Sequence, residues 1–138
     1  MAGGGAAREP EVLAAFHRRY FAAWDRGDLA AMGECLDEAF RGTFAGPEGS
    51  RVLEVDRAGV LALMEASFAR SRGEAAHWRR SAILWLQRGP AEAAAAMRVD
   101  ALFPAHPEWN NAELTVESYR RGEDGRWRLL RAHSERLR

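Results

Sequence analysis

Hydrophobic residues in the first third of the chain recur with a helical period. Leu13, Phe16, Tyr20 and Trp24 stand at i, i+3, i+7 and i+11, which makes one apolar stripe and predicts a helix from about Pro10 to Arg26. Pro10 suits a first helical turn, where its missing N–H costs nothing. Gly27 is a C-terminal stop, and Asp28 can cap a second, short helix with Leu29, Met32 and Leu36 as its stripe. His17 is read onto the polar side of the first helix. An extended stretch follows at Phe40 to Phe44, then a turn at Ala45-Gly46-Pro47-Glu48-Gly49-Ser50. Val52 to Val55 reads as extended and leads to Asp56. Asp56 can cap a third helix, which carries Val60, Leu61, Met64 and Phe68 at helical spacing.

After Arg72-Gly73 the period changes to that of strands. His77 to Arg88 contains the run Ile83-Leu84-Trp85-Leu86 and is broken by Arg88-Gly89-Pro90. From Ala93 to Phe103 the residues alternate. Met97, Val99, Ala101 and Phe103 share one face, while Arg98, Asp100 and Leu102 share the other. The Ala93–Ala96 run by itself suits a helix equally well. Pro104 to Asn111 is a loop. Glu113–Arg121 and Arg126–Glu135 form a closing hairpin around the turn Gly122–Gly125, with Trp127, Leu129, Arg131 and His133 on one face of its last strand. Helices followed by a run of antiparallel strands predict an α+β fold. Residues 1–9 read as a flexible tail and residues 10–138 as one domain.

Composition narrows the function classes. The 138 residues carry 20 basic and 20 acidic side chains, a net charge of zero, so no overall field draws the chain to nucleic acid or an anionic membrane. Arg79-Arg80 and Arg120-Arg121 are interrupted by acids and make no basic stripe, so no nucleic-acid partner is expected. Cys35 is the only cysteine, which excludes an intrachain disulfide. No apolar run is long enough to span a bilayer, and the opening residues lack a signal-peptide pattern, so a cytoplasmic protein is expected. His, Cys and carboxylate spacings suggest no metal site, and the glycines lack phosphate-loop or dinucleotide spacing, so no cofactor is expected. Five Trp is many for this length and fits either a cavity for a small apolar or ring-shaped ligand or the packing of a core and a dimer face.

Two stretches carry a resemblance. Phe16-His17-Arg18-Arg19-Tyr20-Phe21-Ala22-Ala23-Trp24-Asp25-Arg26-Gly27-Asp28-Leu29, with the hairpin Val116 to Leu130, resembles the SnoaL-like branch of the nuclear transport factor 2 superfamily. The resemblance implies a curved sheet closed into a cone by helices, with a pocket inside. Its members include isomerases, cyclases, hydrolases, and domains that only bind or dimerise.

Within that superfamily, Arg19-Tyr20 ahead of Ala22-Ala23 and Gly27-Asp28-Leu29 is similar to ketosteroid isomerase. The likeness implies Tyr20 as the oxyanion donor and Glu117 as its carboxylic partner, both facing one interior space. The family's base position lands near Thr43, where no carboxylate stands, so proton shuttling between ring carbons is not supported. Arg98-Val99-Asp100 is similar to the Arg-x-Asp of limonene epoxide hydrolase and implies an acid role for Asp100 held by Arg98. That family's second Asp is absent from Leu130-Arg131-Ala132-His133-Ser134. The closing Trp127-x5-His133-Ser134 resembles SnoaL-like and kinase-association-type members, and leaves His133 open as a general base, a ligand or interface contact, or a surface residue. The resulting candidate set is Tyr20, Glu117 and Asp100 for chemistry, with Trp24, Thr43, Trp85, Arg98 and His133 for binding. The expected function is small-molecule binding, with cofactor-independent isomerase, cyclase or hydrolase chemistry on an apolar carbonyl compound. The alternative is a non-catalytic dimerisation or ligand-sensing domain. Leu114 and Val116 alternate with Glu113, Thr115 and Glu117, so the strand has an apolar outer face, and a homodimer is expected.

Overall fold

The computed structural model describes residues 11–45, 52–70 and 77–137. Helices α1 (Glu11–Arg26) and α2 (Leu29–Glu34) lead into strand β1 (Leu36–Ala45). Strand β2 (Val52–Asp56), helix α3 (Arg57–Arg70) and strands β3 (His77–Arg88), β4 (Glu92–Leu102), β5 (Asn111–Arg121) and β6 (Trp127–Arg136) follow. A short 3-10 turn, Pro107–Trp109, interrupts the loop before β5. The strands make one sheet in the order β2-β1-β6-β5-β4-β3. All neighbours are antiparallel except β1 and β6, which run parallel.

The local signals act as expected. Gly27 takes φ +63 and ends α1, a conformation that favours glycine. The Asp28 side chain accepts from the Ala31 N–H at 3.0 Å and starts α2. Asp56 does the same for α3, accepting from Gly59 N–H at 2.8 Å. Pro10 and the turn residues Gly46–Ser50 lie outside the described residues. Two boundaries move. Leu36, read as the end of the second helix's stripe, opens β1, which is longer than expected. The Ala93–Ala96 run is strand, because β3 and β5 pair with it on both sides and supply its backbone partners. Tertiary pairing overrides helix propensity there.

Inside the curve of the sheet, α1 buries Leu13, Phe16, His17, Tyr20 and Ala23 against Met97, Tyr119 and Leu129. His17 is only 1% exposed, which corrects its placement on the polar side of the helix. It follows Leu13 by four positions and precedes Tyr20 by three, so it belongs to the apolar stripe. A second correction concerns β6. A register shift between Ser118 and Tyr119 leaves Leu130 as an extra residue opposite β5. This bulge reverses the alternation. Trp127 and Leu129 therefore point to the core, while Arg131 and His133 stand on the outside and are exposed.

At the hairpin end, Asp37 joins β1 to β5. Its carboxylate accepts from Arg120 at 2.7 and 3.2 Å and from the Ala39 N–H at 2.9 Å. Burial pushes its pKa up, but the Ala39 bond and the Arg120 guanidinium outweigh this and hold it below 3.8. Asp100, bonded to Arg98, is likewise lowered. A carboxylate whose folded pKa is depressed stabilises the fold above its unfolded value and loses that contribution as pH falls through the folded one. Stability followed by thermal unfolding is thus expected to hold level from neutral pH to about pH 5 and to fall below about pH 4. Asp37→Asn should flatten that acid limb. An unchanged limb in the variant would remove Asp37 as its cause.

Candidate functional site

One transverse row of the inner sheet face makes the room for a site. Trp85, Ala95, Glu117, Ala132, Gly42 and Val55 are successive cross-strand partners from β3 to β2. Around Glu117 the row is Ala, Ala and Gly, so the sheet carries little side-chain volume there. The helices bridge over this gap and leave a cavity of about 160 Å³. Its aromatic lining comes from Tyr20, Phe21, Trp24, Phe40, Phe44 and Trp78. Val60 and Met64 of α3 close it from the side, and Met97, Val99, Leu129 and Ala132 form its apolar floor. Its polar groups are Tyr20, Glu113, Thr115, Glu117 and Ser134. Tyr20 and Glu117, expected to face one interior space, line this same cavity.

The Tyr20 hydroxyl makes no hydrogen bond among the described residues. Burial pushes its pKa well above 10.0, and the nearby Glu117 carboxylate pushes it further the same way. Tyr20 is therefore a neutral donor or acceptor toward anything in the cavity. The Trp24 indole N–H is buried and lacks a partner with hydrogen-bond geometry. It lies close enough to Tyr20 to favour a partial negative charge on that oxygen, which is a smaller effect than burial.

Glu117 is 9% exposed and belongs to a network that the sequence does not reveal. The Tyr119 hydroxyl donates to its Oε1 at 2.6 Å. His17 Nε2 lies 2.8 Å from the same hydroxyl and 3.7 Å from Oε1. The single Tyr119 proton goes to Glu117, so His17 Nε2 is the donor to Tyr119. Burial, then the Glu117 charge and the bond to it, raise the Tyr119 pKa well above 10.0. Glu117 is thus an acceptor here, which departs from the donor role implied by ketosteroid isomerase. Higher up the strand, Thr115 and Ser134 hydroxyls bond to each other at 3.1 Å. Glu113 lines the upper wall, and burial raises its pKa above 4.5 against a smaller opposite pull from Arg136.

The other expected site residues are elsewhere. Arg98 and Asp100 stand on the outer face, because Met97 and Val99 take the inner positions of β4. Arg98 grips the Asp100 carboxylate with Nε and Nη2 at 3.0 to 3.3 Å. The pair does not line the cavity, so the geometry does not support the acid role implied for Asp100 there. Thr43 and His133 are cross-strand partners, also on the outer face, and hydrogen-bond to each other through Oγ1 and Nδ1. His133 Nε2 bonds Glu135 Oε1 at 3.1 Å. The bulge in β6 is what sends His133 outward. Trp85 is on the inner face but does not line the cavity; its ring packs 5.5 Å from that of His17. Trp24 lines the cavity as expected. The residues missed were His17, Tyr119 and Glu113. Their signals were present: His17 on the α1 stripe, and Glu113 and Tyr119 in the same two-residue alternation as Glu117.

Among the described residues no group of three or more His, Cys, Asp or Glu is placed to hold a metal ion, and no helix is long and apolar enough to cross a membrane.

No protein-family model matches the chain, and no curated protein matches it significantly. Solved structures do match its fold. An NTF2-like protein from Shewanella oneidensis has a TM-score of 0.70 at 15% identity, covering 91% of this chain and 97% of that one. A cystatin-like domain of unknown function from Nostoc punctiforme has a TM-score of 0.68 at 17% identity, covering 97% and 80%. A ketosteroid isomerase-like protein from Erwinia carotovora has a TM-score of 0.65 at 14% identity, covering 92% and 95%. The chain has the NTF2-like, cystatin-like fold: an α+β cone of a curved sheet around helices. At these identities the likeness is one of fold alone.

Proposed function

We propose that this chain is a small-molecule-binding domain whose cone takes a ligand with an apolar body and one polar group. The observation that carries the reading is the shared cavity of Tyr20 and Glu117, walled by aromatic rings. A cavity of about 160 Å³ is close to the ~150 Å³ apolar cavity that holds one benzene ring, so a single-ring body fits and a steroid does not. An apolar carbonyl compound would meet the Tyr20 hydroxyl as a donor, and of Thr115 and Ser134, bonded to each other, one further O–H is free to donate. Glu117 accepts rather than donates, and so stabilising an enolate would lack the carboxylic half of the support that the resemblance implies. Binding without turnover is the simpler function for this set.

Ala132 offers the cleanest test. It lines the cavity and is nearly buried. Benzyl alcohol, a neutral single-ring probe, is expected to change the fluorescence of Trp24 and Trp78 saturably in the wild type. Ala132→Phe fills the space and is expected to weaken that response at least ~20-fold, while Tyr20→Phe weakens it ~3- to 10-fold by losing one hydrogen bond. An Ala132→Phe protein that folds and binds like the wild type would sink the reading.

A second reading, a dimerising domain, is supported by the outer sheet face. Leu84, Ala96 and Val116 form one cross-strand row there, with Leu84 57% and Val116 51% exposed. The two readings are compatible, since they use opposite faces of one sheet.

A further inference from the structure

We infer that the polar group of the ligand is a small organic ammonium ion, whose N–H donates a hydrogen bond to Glu117 and which is held among the aromatic rings. This rests on the cavity being a ligand site. The charge inventory of the lining is one-sided: Glu113 and Glu117 contribute carboxyl groups, and among the described residues no Arg or His lines the space. Two cations stand outside it. Arg80 lies 3.8 Å from the centroid of the Phe21 ring, and Arg136 pairs in register with Glu113.

Glu117 is the anchor. It is nine-tenths buried, and its Oε1 is taken by Tyr119 while Oε2 has no hydrogen bond among the described residues. Among the described residues the one fully buried side-chain polar atom without a partner is Trp24 Nε1, so Oε2 is open to solvent and a ligand donor would replace water there. Tyr119, itself supported by His17, fixes the carboxylate, so that a ligand donor meets a held acceptor. An ammonium N–H satisfies Oε2 with a charge-assisted bond, stronger than that from a hydroxyl.

The walls suit the same ion. Tyr20 and Trp24 meet nearly edge to face at 6.2 Å and 84°, and Trp24 and Trp78 at 5.0 Å and 61°. Rings at steep angles around one space offer π faces to a cation from more than one side. An anionic ligand, by contrast, would face two carboxyl groups with no compensating base in the lining. A neutral carbonyl would use Tyr20 but bring no donor to Oε2.

The test compares three single-ring probes on the full chain at pH 7 by calorimetry: benzylammonium, benzyl alcohol and benzoate. Benzylammonium is expected to bind at least about tenfold tighter than benzyl alcohol, the difference between a charge-assisted and a neutral hydrogen bond. Benzoate is expected to be the weakest. Glu117→Gln is expected to bring benzylammonium and benzyl alcohol within about threefold of each other. The wild-type comparison stands on its own if that variant fails to fold. Equal or better binding of benzyl alcohol or benzoate would overturn the ammonium assignment while leaving the cavity as a binding site. Loss of all three probes, with Ala132→Phe indistinguishable from wild type, would overturn both.

Discussion

Tyr119→Phe is expected to destabilise the fold by about 3 kcal/mol, although it removes a single oxygen. Tyr119 is 1% exposed, and its ring packs edge-on against Phe16 and His17 at 5.2 and 5.4 Å. Phe keeps those contacts and nearly all the volume, so no cavity opens. What is lost is the bond to Glu117 Oε1 at 2.6 Å and the bond from His17 Nε2 at 2.8 Å. Each leaves a buried polar group without its partner, at about 1–3 kcal/mol apiece. Glu117 and His17 lie 3.7 Å apart and can close part of the gap, which keeps the sum below the two maxima. In urea the midpoint should fall by ~1.5 M for a slope near 2 kcal/mol/M. A cost under ~0.5 kcal/mol would mean that the three side chains are not coupled in the folded protein.

Val116→Arg is expected to convert the proposed homodimer into a monomer. Val116 is half exposed at the middle of β5, and its neighbours in the cross-strand row are Ala96 and Leu84 on one side and His133 and Thr43 on the other. The next row places Leu86 beside Ala94 and Ser118. In these two rows the outer face is therefore apolar over β3 to β5 apart from Ser118, and polar over β6 and β1, while Arg98 and Asp100 make it polar further along β4. The helices cover only the inner face, and a second copy of the same surface is the simplest cover for the apolar half of the other. A C2 contact repeats each substitution twice, so one Arg buries two charges without partners and is expected to weaken association more than ~100-fold. Analytical ultracentrifugation at micromolar concentration reads both states. A wild type that sediments as a monomer, or a variant that stays dimeric, would refute this use of the face. The cavity is on the other side of the sheet, so the Ala132→Phe and Val116→Arg effects should be independent.

The sequence by itself determined the elements and their class. Helical stripes, the Gly27 stop, the Asp28 and Asp56 caps and two-residue alternation are local signals, because the backbone repeats of helix and strand act over a few residues. The joint placement of Tyr20 and Glu117 came from the resemblance to ketosteroid isomerase, while the helical stripe placed Tyr20 and Trp24 on one face of their helix. What only the tertiary structure decided depends on pairs far apart in the chain. The β6 bulge arises from pairing with β5, and it alone turns His133 away from Trp127. Arg98 and Asp100 fell outside because β4 has to choose one face for Met97 and Val99, a choice made by the helices that pack on it. His17 and Tyr119 are 102 positions apart, and no local pattern announces that one completes the other. The cavity itself is an absence of volume where Ala95, Ala132 and Gly42 meet across three strands, and register across strands is the property that short-range patterns carry least.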